Sequence, residues 1–247
     1  MHRFQWIVFV CLGLASLSFK VIAGDMTLQV ATQGQFVKPQ VYNVSSGARL
    51  SVIADQWQLK PGAYRLGISL LRVSQQRWQS RLRWALLYRL EDLELNSQTK
   101  KSLHNQVIRF AATGRVLYQF NWDSIELNPK QNRPLKQEDV FVAPVRPKTI
   151  TVGGAAMQAT LKFIPGLSVA KYMGNVRRLP GYDPSYVWVV TPDTHIRRIG
   201  VSYWNTQQAY LAPGSIIYVP LKSNFAHSYK KFNQSMMRLY AAQVLPQ

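Results

Sequence analysis

The chain has 247 residues, 30 basic against 11 acidic side chains, a formal net charge of +19 and one cysteine, Cys11. A single cysteine excludes a disulfide scaffold and a Cys-ligated metal site, and so few carboxylates leave little from which to build acid–base catalysis. The charge excess implies attraction to anionic surfaces or polymers and says nothing of fold.

Residues 1–23 read as a secretory signal peptide. His2 and Arg3 give a basic start, residues 6–17 are an apolar run too short to span a bilayer comfortably, and Val21-Ile22-Ala23 precede an expected cut before Gly24. An uncleaved anchor is the other reading. Cys11 lies in the apolar run without a lipoprotein pattern, so the exported chain is expected to hold no cysteine and to depend on its core, most simply as two modest domains. A periplasmic location follows, and nucleic acid is excluded as a partner because it would not explain the signal.

Strands are predicted over 26–30 and 40–44, followed by a turn at Pro61-Gly62. Residues 68–90 contain neither Pro nor Gly, and Leu71, Trp78, Leu82, Ala85, Leu86 and Leu90 recur at helical spacing. Arg72, Arg77, Arg81, Arg83 and Arg89 fill much of the rest, as a solvated face or a partner contact. Asn96 and Ser97 cap a second helix with Leu103, Val107, Phe110 and Ala111 on one stripe, and Gly114 stops it. The pair is a helical hairpin set between strand-rich segments.

Further strands are expected at 116–122, 139–142 and 149–152, the last ended by Gly153-Gly154. A short helix runs up to Met173, and strand 186–190 has a hairpin partner at 195–201. A weak internal repeat relates Leu135, residues 138–142 and Pro144 to Leu211, residues 214–219 and Pro220. Two similar α+β domains would explain it. In the segment 223–244, Phe225, Tyr229, Phe232, Met236, Leu239, Tyr240 and Val244 follow a three-or-four spacing: an amphipathic helix of roughly 30 Å, lying on the protein body or on a membrane or partner. No acidic residue follows Asp193, which gives this end a purely positive charge.

Catalytic and metal signals are weak. His104, His195 and His227 are far apart with no zinc spacing. Asp123 with Glu126, and Glu138 with Asp139, could be imagined as a glycosidase couple, but both sit beside predicted turns, where carboxylates are commonplace. No nucleophile elbow or phosphate-binding loop is present. No catalytic residue, cofactor or metal is expected, and the chain is read as a non-enzyme.

The ordered set Thr113-Gly114-Arg115, Asn132-Arg133-Pro134-Leu135, residues 139–144, Arg146-Pro147-Lys148-Thr149-Ile150-Thr151-Val152, Pro192-Asp193, Trp204-Asn205, Ala212-Pro213-Gly214 and Ile217-Tyr218-Val219-Pro220-Leu221 resembles the GfcC family of capsule biosynthesis proteins. The resemblance implies an α+β fold of two β-grasp-like domains with a helical hairpin inserted in the first and an amphipathic C-terminal helix, similar to periplasmic domains of outer-membrane polysaccharide exporters. On this chain the parts would be residues 24–147 with the insert at about 67–113, residues 148–221, and the helix 222–247. The implied role is a non-enzymatic accessory protein of capsule or exopolysaccharide assembly and export, whose partners are acidic polysaccharide or the outer-membrane exporter. Arg115 is the first candidate for contacting an acidic sugar or partner, because a guanidinium grips carboxylates through two hydrogen bonds; the alternative is an internal pairing that fixes the hairpin. Trp204 and Asn205 join it as candidates for glycan or partner binding. Tyr229, Phe232, Met236, Leu239 and Tyr240, with Phe225, are candidates for a membrane or partner helix. The family often has Gly after Pro-Asp, where this chain has Thr194. The competing readings are a polysaccharide-modifying enzyme and a lipopolysaccharide or membrane-surface binder.

Overall fold

Alternation of apolar and polar residues makes Thr27–Gly34 (β1) and Val41–Ser45 (β2) an antiparallel hairpin, with Val30 and Val44 turned inward, in a computed structural model that describes residues 27–122, 125–223 and 227–247. The expected signal segment therefore lies outside the described residues. A short helix, Leu50–Ala54 (α1), follows and buries Leu50 and Ile53. Ser69–Leu71 (β3) and Asp139–Ala143 (β4) complete a four-stranded sheet of order β2-β1-β4-β3, in which β4 runs parallel to β1. Its core holds an aromatic cluster. Trp57 lies 5.4 Å from Phe36 and 5.3 Å from both Trp122 and Phe141, ring to ring, within the range of favourable edge-on and tilted contacts.

The second sheet repeats this wiring. Thr149–Gly154 (β5) and Ala159–Lys162 (β6) form a hairpin. Val169–Gly174 is a short helix (named α4 below, after the two helices of the insert). Tyr186–Val190 (β7), Ile196–Gly200 (β8) and Ile216–Val219 (β9) give the order β6-β5-β9-β7-β8, with β9 parallel to β5. The likeness reaches individual hydrogen bonds. Gln35 N–H donates to Ala143 O at 2.8 Å, and Ala155 N–H donates to Val219 O at 2.7 Å. Gly34 (φ 83°) and Gly154 (φ 86°) stand before these donors, and a Cβ at either would press into the same carbonyl. The repeat read around 135–144 and 211–220 is thus a repeat of structure: both segments enter a last strand parallel to the first, through a residue of positive φ, Glu138 (62°) or Gly214 (80°).

Between β3 and β4 lie Val73–Glu91 (α2) and Ser97–Ile108 (α3), which pack on each other. The Asn96 side chain accepts from Gln98 N–H at 2.9 Å and caps α3, as its sequence position predicts. Leu86, Leu90, Leu103 and Val107 of these helices join the core of the second sheet rather than the first. Gln106 fastens the contact, accepting from Gly154 N–H at 2.7 Å and donating to Gly154 O at 3.0 Å.

The last helix, His227–Ala241 (α5), ends three residues before the predicted limit at 244 and packs against α2 and β7, while residues 224–226 of the predicted segment lie outside the described residues. With two sheets and five α-helices among the described residues, the class is mixed α+β. One strand expectation fails. Residues 116–122 form no ladder beyond single contacts at Arg115 and Val116, and Phe120 and Trp122 instead stack in the first core at 4.6 Å. Aromatic β-propensity there reflects burial of rings, not strand pairing.

Candidate functional site: a basic aromatic groove

On β7 the side chains alternate. Val187 and Val189 are buried, while Tyr186 and Trp188 stay half-exposed on the opposite face. Trp188 lies opposite Tyr218 of β9 and opposite Arg198 of β8, so all three share that face. The Arg198 guanidinium lies 3.5 Å from the centroid of the Tyr186 ring, a cation–π stack that holds it over the sheet. Across from these, α5 supplies Lys230, Gln234 and Met237, and together they enclose a groove of about 450 Å³ floored by Pro220 and Leu221.

The α5 bank is fixed by Asn233. Its Oδ1 accepts from Tyr218 O–H at 2.7 Å and Leu221 N–H at 3.0 Å, and its Nδ2 donates to Leu221 O at 2.8 Å. Burial pushes the Tyr218 phenol well above its ordinary pKa, and the neighbouring Tyr240 adds to the shift, so Tyr218 remains a donor at every physiological pH. Among the described lining residues Asp183 is the one carboxylate, and its Oδ1 accepts from Ser185 N–H at 2.8 Å. Arg198 and Lys230 therefore leave the groove positive. Flat rings between two cations suit stacking on sugar faces and pairing with their acid groups.

Residues 157–245, a stretch that contains every groove residue, match the family described as Capsule biosynthesis GfcC C-terminal. Over 143 residues the chain is 33% identical to the Uncharacterized protein YjbG of Escherichia coli (strain K12), covering 56% of this chain and 58% of that protein. Over these stretches the chain is similar to the GfcC C-terminal family and to YjbG. The aligned stretch spans little more than half of that relative's length.

The GfcC-like motif residues divide between surface and interior. Arg115, expected to reach a sugar or partner, is 4% exposed. Its guanidinium donates to Gln243 O at 2.6 Å, to Ala241 O at 3.5 Å and to Pro192 O. Burial lowers its pKa to about 10, opposed by the Asp193 carboxylate, so it keeps its charge at neutral pH. Thr113 O–H adds a bond to Ala242 O at 3.1 Å. The Thr113-Gly114-Arg115 segment thus clips the chain after α5 to the β7–β8 turn, so that of the two readings of Arg115, a glycan contact and an internal pairing, the described bonds are internal. Asn205 is also committed internally, its side chain accepting from Ser202 N–H and donating to Ser185 O, both at 3.0 Å. Trp204 is 60% exposed and meets the exposed Tyr203 edge-on at 5.0 Å. That pair stands on the turn tied to Ser185, next in the chain to Tyr186.

Of the two placements expected for the terminal helix, its described residues take the one on the protein body. Phe232, Met236, Leu239 and Tyr240 are buried against the second sheet and α2, and Tyr229 is half-buried with its O–H donating to Glu94 O at 3.0 Å. An apolar stripe already covered by its own protein is not available to a bilayer. Phe225, and Asp123 of the first carboxylate pair, lie outside the described residues. Asp139 of the second pair is fully buried and paired with Arg72, so it faces no cleft.

At the departure from the family pattern, Thr194 keeps a positive φ of 70°. A β-branched residue is strained there and glycine is not. Thr194→Gly is expected to raise stability by about 1 kcal/mol, read as a higher urea midpoint with unchanged slope; an equal or lower midpoint would mean that the turn is unstrained.

Tyr186, Trp188, Arg198 and Lys230 were not singled out by sequence as a site. The signal was present as the alternation Tyr-Val-Trp-Val beside an Arg-Arg pair on the hairpin partner.

Proposed function

We propose that this chain is a periplasmic, non-enzymatic accessory protein of capsule or exopolysaccharide assembly and export, and that the groove between β7, β8 and α5 holds a strand of acidic polysaccharide. The observation that carries this reading is the placing of Tyr186 and Trp188 between Arg198 and Lys230 in one groove. The capsule-biosynthesis family domain that contains the groove supports it. In the same reading residues 1–23 are the signal peptide, residues 24–147 and 148–221 are two β-grasp-like domains with the α2–α3 hairpin inserted in the first, and the terminal segment 222–247 carries the helix α5, which packs on the protein body. The outer-membrane exporter is the second partner, met through the surface that includes Trp204.

A polysaccharide-modifying enzyme is the competing reading. It would need two convergent carboxylates. Asp183 is the one described carboxylate in the groove, and Asp139 is occupied by Arg72.

The test is surface against total exopolysaccharide in a deletion strain carrying wild type or Arg198→Ala/Lys230→Ala. Wild type is expected to restore surface polymer, and the double variant to leave it inside the cell at normal protein level. Normal amount and location with altered linkage or composition would overturn the accessory role in favour of the enzyme.

A further inference from the structure

Helix α2 carries a second basic aromatic surface, on the side away from the groove's core. Arg77, Arg81, Trp84 and Tyr88 recur at spacings of four, three and four, which places them on one face over about 16 Å of helix. All four are exposed, Trp84 by 64% and Tyr88 by 75%. Two such rings on the wet side of a helix leave α2 only weakly amphipathic. Packing does not require them, because the buried side is already supplied by Gln79, Leu86 and Leu90.

The arginines of this region fall into two groups. Arg72 pairs with Asp139, Arg83 donates to Phe110 O at 3.1 Å, and Arg89 donates to Ser235 Oγ at 3.2 Å. Arg77 and Arg81 have no partner among the described residues and precede the exposed rings on the same face, while the Arg83 guanidinium also lies 5.7 Å from the centroid of the Trp84 ring. No acidic residue occurs in α2 before Glu91, and Glu91 is paired with Lys100 at 3.0 Å. Asp92 and Glu94 lie beyond the helix end.

We infer that this face docks on an anionic lipid surface, with Arg77 and Arg81 on headgroup phosphates and Trp84 and Tyr88 at the level of the glycerol backbone. Charge complementarity supplies the attraction, and tryptophan and tyrosine are the side chains that settle at a membrane interface. A straight, convex helix face lets a plane meet all four residues at once, whereas a sugar strand is better held between two banks. Membrane contact therefore falls on α2 and not on α5, whose apolar stripe is covered. No described helix is long and apolar enough to cross a membrane, so the contact is peripheral. The inference does not rest on the glycan groove.

The experiment is co-sedimentation of the protein as recovered from exporting cells with two sets of vesicles: phosphatidylcholine alone, and three parts phosphatidylcholine to one part phosphatidylglycerol. Wild type, Arg77→Glu/Arg81→Glu and Trp84→Ala/Tyr88→Ala are compared after circular dichroism shows equal folding. The expected result is binding to the anionic vesicles only, weakened by at least about tenfold in the charge-reversed protein and lost in the ring variant. Equal binding to both vesicles, or binding unchanged in both variants, would overturn the inference; the first is how a retained apolar N-terminal segment would behave. No vesicle binding, with the same variants losing retention on an acidic polysaccharide resin, would overturn it in favour of a glycan surface.

Discussion

Arg115→Ala is expected to lower the thermal unfolding midpoint by about 10 °C, corresponding to about 3–5 kcal/mol for a protein of this size. The guanidinium is buried and serves three carbonyls, Pro192, Ala241 and Gln243, that no water replaces easily. Alanine leaves these acceptors facing a hole, and an orphaned buried acceptor costs about 1–3 kcal/mol. The chain after α5 loses its clip at the same time, with only Thr113 O–H still on Ala242 O. Arg115→Lys is expected to recover part of the loss, since one ammonium cannot reach carbonyls on two sides. A midpoint within about 2 °C of wild type would show that the arginine does not hold the turn and tail together. Any export defect of Arg115→Ala is to be read beside the level of folded protein.

Asp139→Ala is the second large effect, at about 3–5 kcal/mol. Its carboxylate accepts from Arg72 Nε at 2.8 Å and Nη2 at 2.7 Å, and from Lys136 N–H at 2.9 Å. Removing it strands a largely buried guanidinium, whose side chain is 13% exposed, at the junction of β3 and α2. The repeat provides an internal comparison. The equivalent position before β9 is Ser215, whose Oγ has no partner among the described residues. Arg72→Met with Asp139→Ser should therefore lose less than Asp139→Ala alone, because cation and anion leave together. Urea titration of the three proteins checks this. A double variant as weak as the alanine would mean that the backbone caps, not the ion pair, carry the stability.

Sequence periodicity located α2, α3 and the interior stripe of α5, because a 3.6-residue repeat of Leu, Val and aromatics admits few other structures. It did not say where the α5 stripe would point. Phe232 and Met236 look the same whether they cover a sheet or a bilayer, and only the second sheet, brought up by the rest of the chain, decides it. Arg115 was legible as a notable residue, with an internal pairing as one of its two readings, but its partners were not, since they lie 77 and 128 positions away and no local pattern encodes them. Thr194 was legible as a departure in a turn, and the structure adds its positive φ. The groove escaped because Tyr186–Val190 reads as a near-continuous apolar strand. The rings become a site only when β8 lays Arg198 over Tyr186 and α5 places Lys230 opposite.

The most direct measurement is titration of the wild-type protein and of Arg198→Ala/Lys230→Ala with an acidic oligosaccharide and with its carboxyl-reduced, neutral counterpart, followed by calorimetry. The expected result is binding of the acidic form by wild type, weakened at least about tenfold by losing the two cations, and no comparable binding of the neutral form. Equal affinity for the acidic and neutral forms, or acidic binding untouched by the double variant, would contradict the groove as the seat of function.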